Sequence, residues 1–267
     1  MGRKENTKGQ PDAKKTGSDR MLGENLSFAA TEAYKLLRTN LFFCLPNDGE
    51  PKCRVVGVTS SVQGEGKSTT SINLSYMLAQ DGKRVCLVEG DMRAPTLSNR
   101  LKLRRTKGLS HILAGLQTDT SVVTKTDLHP NLSVIPAGEM PPNPAELLGS
   151  ERMVRMTELL GGMFDYVIID LPPITVVADA LAVSGVLDGM IVVVEDGVCT
   201  RRELADAMQR LDVIRDKILG FVVTRADSGV GRYGYKKKYG YGYGYGYGYG
   251  YGYGHRVKSE KKDEQDS

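Results

Sequence analysis

Residues 55–70 read VVGVTSSVQGEGKSTT. Val55, Val56 and Val58 make the short apolar run of a buried strand, which breaks into a loop over Ser60–Gly66. From Lys67 onward, Ile72, Leu74, Met77, Leu78 and Ala79 recur with helical spacing. Strand, glycine loop, Lys-Ser and helix are the parts of a phosphate cradle. Backbone N–H groups at a helix start point at the anion, a lysine supplies a point charge, and a hydroxyl meets Mg²⁺. Ser61 stands where G-x-x-x-x-G-K-[ST] has its first glycine, so the motif is imperfect. The bland alternative is a strand–turn–helix with a surface lysine, and the complete context of the motif weighs against it. Lys67 is expected between the β- and γ-phosphates of a nucleoside triphosphate, Ser68 on Mg²⁺, and the Thr69 N–H toward the α-phosphate. Gly64 and Gly66, flanking Glu65, let the backbone approach the anion.

Outward from this stretch, strands and helices alternate. Arg84–Val88 is expected as a strand, Leu109–Ala114 as a short helix and Leu132–Ile135 as a strand. Ala145–Leu160 reads as a helix with a break at Gly149, and Tyr166–Asp170 as a strand. Helix Ala178–Leu187, strand Gly189–Val194, helix Arg201–Ile214 and strand Ile218–Val223 follow. Near-continuous apolar strands alternating with helices predict an α/β fold, P-loop NTPase-like, whose mostly parallel sheet carries helices on both faces. Ligands of such sheets sit beyond the carboxyl ends of the strands, where the loop at 61–66, Asp91 and Asp170 all fall.

Asp170 ends an apolar strand and precedes Leu171-Pro172, the pattern of a carboxylate that holds Mg²⁺. Glu89-Gly90-Asp91-Met92-Arg93 ends another strand. Its two carboxylates, two positions apart, are expected to point the same way and either bind Mg²⁺ or accept a proton from a nucleophile. Arg93 either neutralises phosphate charge or pairs with a carboxylate. The site expected on these grounds has Lys67, Glu89, Asp91 and Asp170 as catalytic residues. Gly64 through Thr69 and Arg93 hold ATP, and Ser68, Asp91 and Asp170 hold Mg²⁺.

The 267 residues carry a net charge of +4, too mild an excess to argue for nucleic acid. Cys44, Cys53, Cys86 and Cys199 are widely separated, with no C-x-x-C pair for zinc or redox work. With no long apolar span and a polar N-terminus, the expectation is a cytoplasmic protein that reaches the inner face of the membrane through a partner. Residues 1–24 read as a flexible basic arm, 25–228 as the folded domain, and 229–267 as a disordered Tyr/Gly-rich tail. Ser27–Phe43 reads as a helix N-capped by Ser27, with Glu32, Lys35 and Arg38 on it.

Three phosphate-site motifs in this order resemble the bacterial tyrosine kinases of the capsular and exopolysaccharide type, the BY-kinases, over residues 27–225. SSVQGEGKST resembles the family's Walker A, VCLVEGDMR its Walker A′ and VIIDLPP its Walker B. EAYKLLRTNL resembles the family's E-x-x-R-x-x-R segment, and Pro141–Leu148 and Pro172–Ala180 also look like family stretches. The resemblance implies an ATP- and Mg²⁺-dependent protein-tyrosine kinase that modifies its own C-terminal tyrosine cluster in trans and regulates polysaccharide synthesis and export. Here the cluster is Tyr233, Tyr235, Tyr239, Tyr241, Tyr243, Tyr245, Tyr247, Tyr249, Tyr251 and Tyr253. It also implies a soluble split form activated by a transmembrane adaptor of the polysaccharide co-polymerase type. A homo-oligomer through the helix of Glu32, Lys35 and Arg38 and an opposing tyrosine phosphatase are implied too.

Two residues depart from the family. Glu89 replaces the first Walker A′ aspartate, which is a candidate base or metal contact, and Lys35 replaces the first arginine of the helix. A glutamate keeps the charge but reaches one methylene further, and a lysine keeps it without the bidentate fork. Three other readings remain open at this stage. A ParA/MinD-type ATPase switch shares the fold but usually has an extra lysine where Val62 stands. A weakly active kinase paralogue would follow from Glu89. A nucleic-acid or self-association module would rest on the tail alone.

Overall fold

The computed structural model describes residues 23–45, 52–103, 107–117 and 120–226. The N-terminal arm up to residue 22 and the tyrosine tail lie outside the described residues.

A seven-stranded sheet organises the chain, with strands β1 (Arg54–Ser60), β2 (Val85–Glu89), β3 (Thr124–Lys125), β4 (Leu132–Ile135), β5 (Tyr166–Asp170), β6 (Gly189–Glu195) and β7 (Ile218–Thr224). Their order across the sheet is β3-β4-β2-β5-β1-β6-β7, and every pairing is parallel except β3 with β4. Successive residues of a strand face opposite sides, and on β1, β2 and β5 both sides are buried. Val55, Cys86, Val88, Val167 and Ile169 enter one apolar cluster, while Val56, Val58, Leu87 and Ile168 enter the other. That is why these strands read as unbroken apolar runs rather than as alternation.

On the second face, α2 (Lys67–Gln80) contributes Ile72, Leu74 and Leu78. Nearly all of α2 is buried, because α1 (Phe28–Cys44) lies across it. Ser27 caps α1 by accepting the Ala30 N–H, as its position before the apolar pattern predicts. Arg38 of α1 donates to the Met77 carbonyl in the last turn of α2 and pairs with Asp81 at 3.3 Å. A cation suits that helix end, where unsatisfied carbonyls collect. Lys35 pairs with Glu32 one turn back at 2.8 Å, on the exposed side.

The expected alternation is present with adjustments of physical origin. The break expected at Gly149 is present and divides the segment into α5 (Pro144–Leu148) and α6 (Glu151–Gly161). The helix expected over 178–187 is one α turn, α7 (Asp179–Ala182), tightening into a 3₁₀ turn at Val183–Val186, where Gly185 and two valines disfavour continuation. Helix α8 (Arg201–Leu211) starts at a reciprocal Thr200–Glu203 capping box and ends in a 3₁₀ segment. The short α3 (Leu97–Arg100) and the two-residue β3 are too brief to leave a period in the sequence, while α4 (Leu109–Leu113) falls where expected.

Candidate active site

The register of the sheet brings the site together. Asp170 ends β5 opposite Val58 of β1 on one side and Glu89 of β2 on the other. The loop after β1 and the turn after β2 therefore flank it.

The loop is held before any ligand arrives. Glu65 is fully buried, and its carboxylate turns inward to accept the Val62 N–H at 2.7 Å and the Glu195 N–H at 3.1 Å. The Thr224 hydroxyl donates to the Glu65 carbonyl at 2.8 Å, and Thr175 donates to the Ser61 carbonyl at 2.6 Å. Gly64 and Gly66 take φ of 93° and 90°, a left-handed backbone that other residues adopt only at a cost. Gly66 is the N-cap of α2, so the first-turn N–H groups of a buried helix open onto the loop.

At the floor, Lys67 Nζ lies 2.9 Å from Asp91 Oδ2 and 3.7 Å from Asp170 Oδ2. All three side chains are buried. Burial works against the lysine charge, but Asp170 and Asp91 more than offset it and hold its pKa above the ordinary value. Burial also raises the Asp170 pKa, opposed by Lys67, Ser68 and Ser71. Ser71 donates to Asp170 Oδ1 at 3.2 Å, whereas Asp170 Oδ2 is buried with no hydrogen-bond partner. A buried carboxylate oxygen in that state is unfavourable by itself and suits a cation. Ser68, Asp91 and Asp170 are hard oxygen donors of the kind Mg²⁺ takes. Among the described residues no group of three carboxylate, histidine or cysteine side chains stands together.

The two Walker A′ carboxylates diverge, contrary to the expectation that they face one way. The strand period fails at Gly90 because the Gly90 and Asp91 N–H groups both donate to the Asp170 carbonyl, at 2.8 and 3.0 Å, and curl the chain over β5. Asp91 turns to Lys67, with Oδ1 accepting the Ala94 N–H. Glu89 turns the other way. Its oxygens accept the Leu97 and Ala137 N–H groups, and the Ser98 hydroxyl lies at 3.5 Å. Burial raises the Glu89 pKa against those two amides, and Asp170 adds to the rise. Arg93 grips the buried Asp179 with two bonds of 2.9 and 3.1 Å, so of its two expected roles it takes the pairing with a carboxylate.

This geometry can be set beside known proteins. A family model for the AAA domain matches residues 53–219. The chain is 35% identical over 204 residues to the tyrosine-protein kinase CpsD of Streptococcus agalactiae serotype III, covering 76% of this chain and 85% of that protein. It is 35% identical over 214 residues to the tyrosine-protein kinase YwqD of Bacillus subtilis, covering 78% and 88%. The chain belongs to the bacterial tyrosine kinases of the capsule type. The solved kinase domain of Escherichia coli tyrosine kinase ETK matches this kinase with a TM-score of 0.67 at 31% identity, over 77% of this chain and 80% of that one. The fold alone is shared more widely, as with a cobyrinic acid a,c-diamide synthase from Mycobacterium smegmatis at 22% identity and a TM-score of 0.54.

Several residues of the kinase site carry no motif of their own. Ser71 lies one turn beyond Lys67 on the same helix face, a spacing that could have flagged it. Arg100 of α3 donates to the Thr69 hydroxyl at 2.7 Å, and no local pattern announces that bond. Arg225, with φ of 50°, pairs with the buried Glu195 at 2.6 Å, and Thr224 is engaged with Glu65. The end of β7 and the residue after it thus brace the phosphate loop.

Proposed function

We propose that this kinase uses ATP and Mg²⁺ to phosphorylate tyrosines of the 233–253 cluster on a second copy of the chain. The buried trio of Lys67, Asp91 and Asp170 carries the reading. Lys67 lies between two carboxylates, 2.9 Å from Asp91 and 3.7 Å from Asp170, and offsets one of their two charges. Ser68, Asp91 and Asp170 would hold the metal, which supplies charge neutralisation at the phosphates. Lys67 would then be free to turn to the β- and γ-oxygens, because the metal would take over the charge of the two carboxylates. The first turn of α2 and the braced loop orient the triphosphate. Phosphoryl transfer asks mainly for positioning and charge neutralisation, which these groups supply. The bond from the γ-phosphorus to ADP breaks, the bond to the phenolic oxygen forms, and the phenolic proton is released. In this reading Glu89 anchors α3 and the turn after β4 through backbone amides, while Asp91 is the Walker A′ carboxylate at the phosphates.

The same reading places the kinase in the regulation of polysaccharide synthesis and export. Its partners are a transmembrane adaptor, a ring or other homo-oligomer using the exposed side of α1, and an opposing phosphatase. Among the described residues no helix is long and apolar enough to cross a membrane, which fits recruitment by an adaptor.

Incubation with ATP and Mg²⁺ followed by a phosphotyrosine blot tests the reaction. Lys67→Met abolishes the signal in a chain whose circular dichroism remains native, and deletion of 232–267 removes most of it. No signal, even with the cytoplasmic segment of an adaptor present, overturns the kinase reading.

A further inference from the structure

A second cavity of about 670 Å³ lies on the far side of the Walker A′ turn, lined by Glu89, Pro95, Lys107, His111, Pro136 and Met140 among others. Its size is that of a pocket for a small ligand or a large side chain, about 300–1,000 Å³. One loop separates it from the phosphate floor. Glu89 and Pro95 face the cavity, and Asp91 between them in the chain faces Lys67. Two prolines and a methionine supply apolar wall, while Asn99, Lys107, His111 and Glu139 supply polar groups. Glu89 closes the inner end with both oxygens committed to backbone and hydroxyl donors. Such a chamber suits a flat, amphipathic ring with a hydroxyl at its tip.

The proposed acceptor has an unusual regularity that the reaction itself leaves unexplained. From Tyr239 to Gly254 every second residue is tyrosine and the rest are glycine. Drawn through a site in extended form, such a segment puts alternate residues on one side about 6.6–6.8 Å apart. With one tyrosine at the phosphates, the tyrosine two residues away lies that distance further along the same side of the segment. We propose that the cavity beside Glu89 is a specificity pocket for the ring of that neighbouring tyrosine, so that the kinase reads tyrosine pairs spaced by two. This rests on the reading that the tail of a second copy is the acceptor. The glycines leave the backbone no side chain to clear on entry, and the repeat offers an equivalent register at every second residue. Each modified tyrosine can therefore give way to the next without a new kind of contact.

The full-length chain supplies the test. In one variant Tyr241, Tyr245, Tyr249 and Tyr253 become serine, which leaves the remaining tyrosines of the repeat four apart. In a second variant the same positions become phenylalanine, which keeps the ring and removes the hydroxyl. Phosphate on Tyr239, Tyr243 and Tyr247 is followed by mass spectrometry after ATP and Mg²⁺ are added. The phenylalanine variant keeps the wild-type rate at these sites, and the serine variant loses about tenfold, the scale of one buried aromatic contact. Met140→Asp, an exposed position on the cavity wall, slows the wild-type tail about as much and leaves the serine variant unchanged. Equal rates for the serine and phenylalanine tails overturn the pocket while leaving the kinase reading intact. So does a Met140→Asp effect of the same size on both tails. Absence of phosphotyrosine from every chain overturns both readings.

Discussion

Replacing Asp170 by asparagine should make the nucleotide-free kinase more stable while disabling its site. Burial raises the Asp170 pKa despite Lys67, Ser68 and Ser71, so the folded chain holds that proton more tightly than the unfolded chain does. The stabilisation from protonation is fully present below the unfolded carboxylate value, about 3.9. It is lost as pH rises through the higher folded value. Above that value the folded protein bears a buried charge whose Oδ2 accepts no hydrogen bond and meets Lys67 only at 3.7 Å. Asparagine fills the same space without the charge, and Lys67 keeps Asp91 at 2.9 Å. The attraction surrendered is that of the 3.7 Å Lys67–Asp170 pair, and it offsets part of a desolvation cost of several kcal/mol. The expected net gain is about 1–2 kcal/mol, or about 2–8 °C in Tm at about 2–4 °C per kcal/mol for a domain of this size. Calorimetry without nucleotide should show Asp170→Asn melting above wild type, by more as the pH is raised. Saturating ATP and Mg²⁺ should reverse the ranking. Wild type gains about 2.7 kcal/mol at a hundredfold excess over Kd, and the variant gains much less. A variant that melts below wild type without nucleotide at every pH, or a gap that ignores pH, refutes the reasoning.

Arg93→Ala leaves Asp179 buried without its guanidinium and should cost about 3–5 kcal/mol in urea unfolding. Adding Asp179→Asn should recover more than half of that loss. Glu65→Gln keeps one acceptor for two buried loop amides, so ATP affinity measured by calorimetry should weaken by about tenfold and the melting temperature should fall by several degrees. Cys53, its pKa pushed up to about 11 by burial, with Asp188 and Asp165 adding to the rise, should resist iodoacetamide at pH 8. The exposed Cys44 should be alkylated first, as peptide mass spectrometry would show.

The parallel sheet was legible because its strands are buried on both faces and so spell out their apolar runs, each closed by a loop or a carboxylate. Lys67, Asp91 and Asp170 were legible for the same reason, since strand ends in such a sheet meet at one edge. What the linear pattern does not carry is direction beyond a strand end. Glu89 and Asp91 share a spacing that predicts a common face, yet two amides drawn to the Asp170 carbonyl twist the turn and send them apart. Glu65 is expected in the phosphate loop, but nothing in the pattern announces that its side chain turns inward as a brace. Arg100 and Thr69 are joined by tertiary placement of a four-residue helix, which leaves no periodic trace.

The order of the strands has a consequence for how the molecule comes into being. β5 lies between β1 and β2, although it follows both in the chain and arrives after β4. Its carbonyl at Asp170 holds the Walker A′ turn, and its side chain completes the floor beneath Lys67. During synthesis, a chain that has emerged through β4 has its phosphate loop and Asp91 but lacks the wedge that brings them together. Non-local pairings of this kind form late, and domains form from the N-terminus as the chain lengthens. Insertion of β5 is thus a precondition for the assembled floor, and a ribosome-bound chain should show no tight nucleotide binding before residue 170 has cleared the exit tunnel.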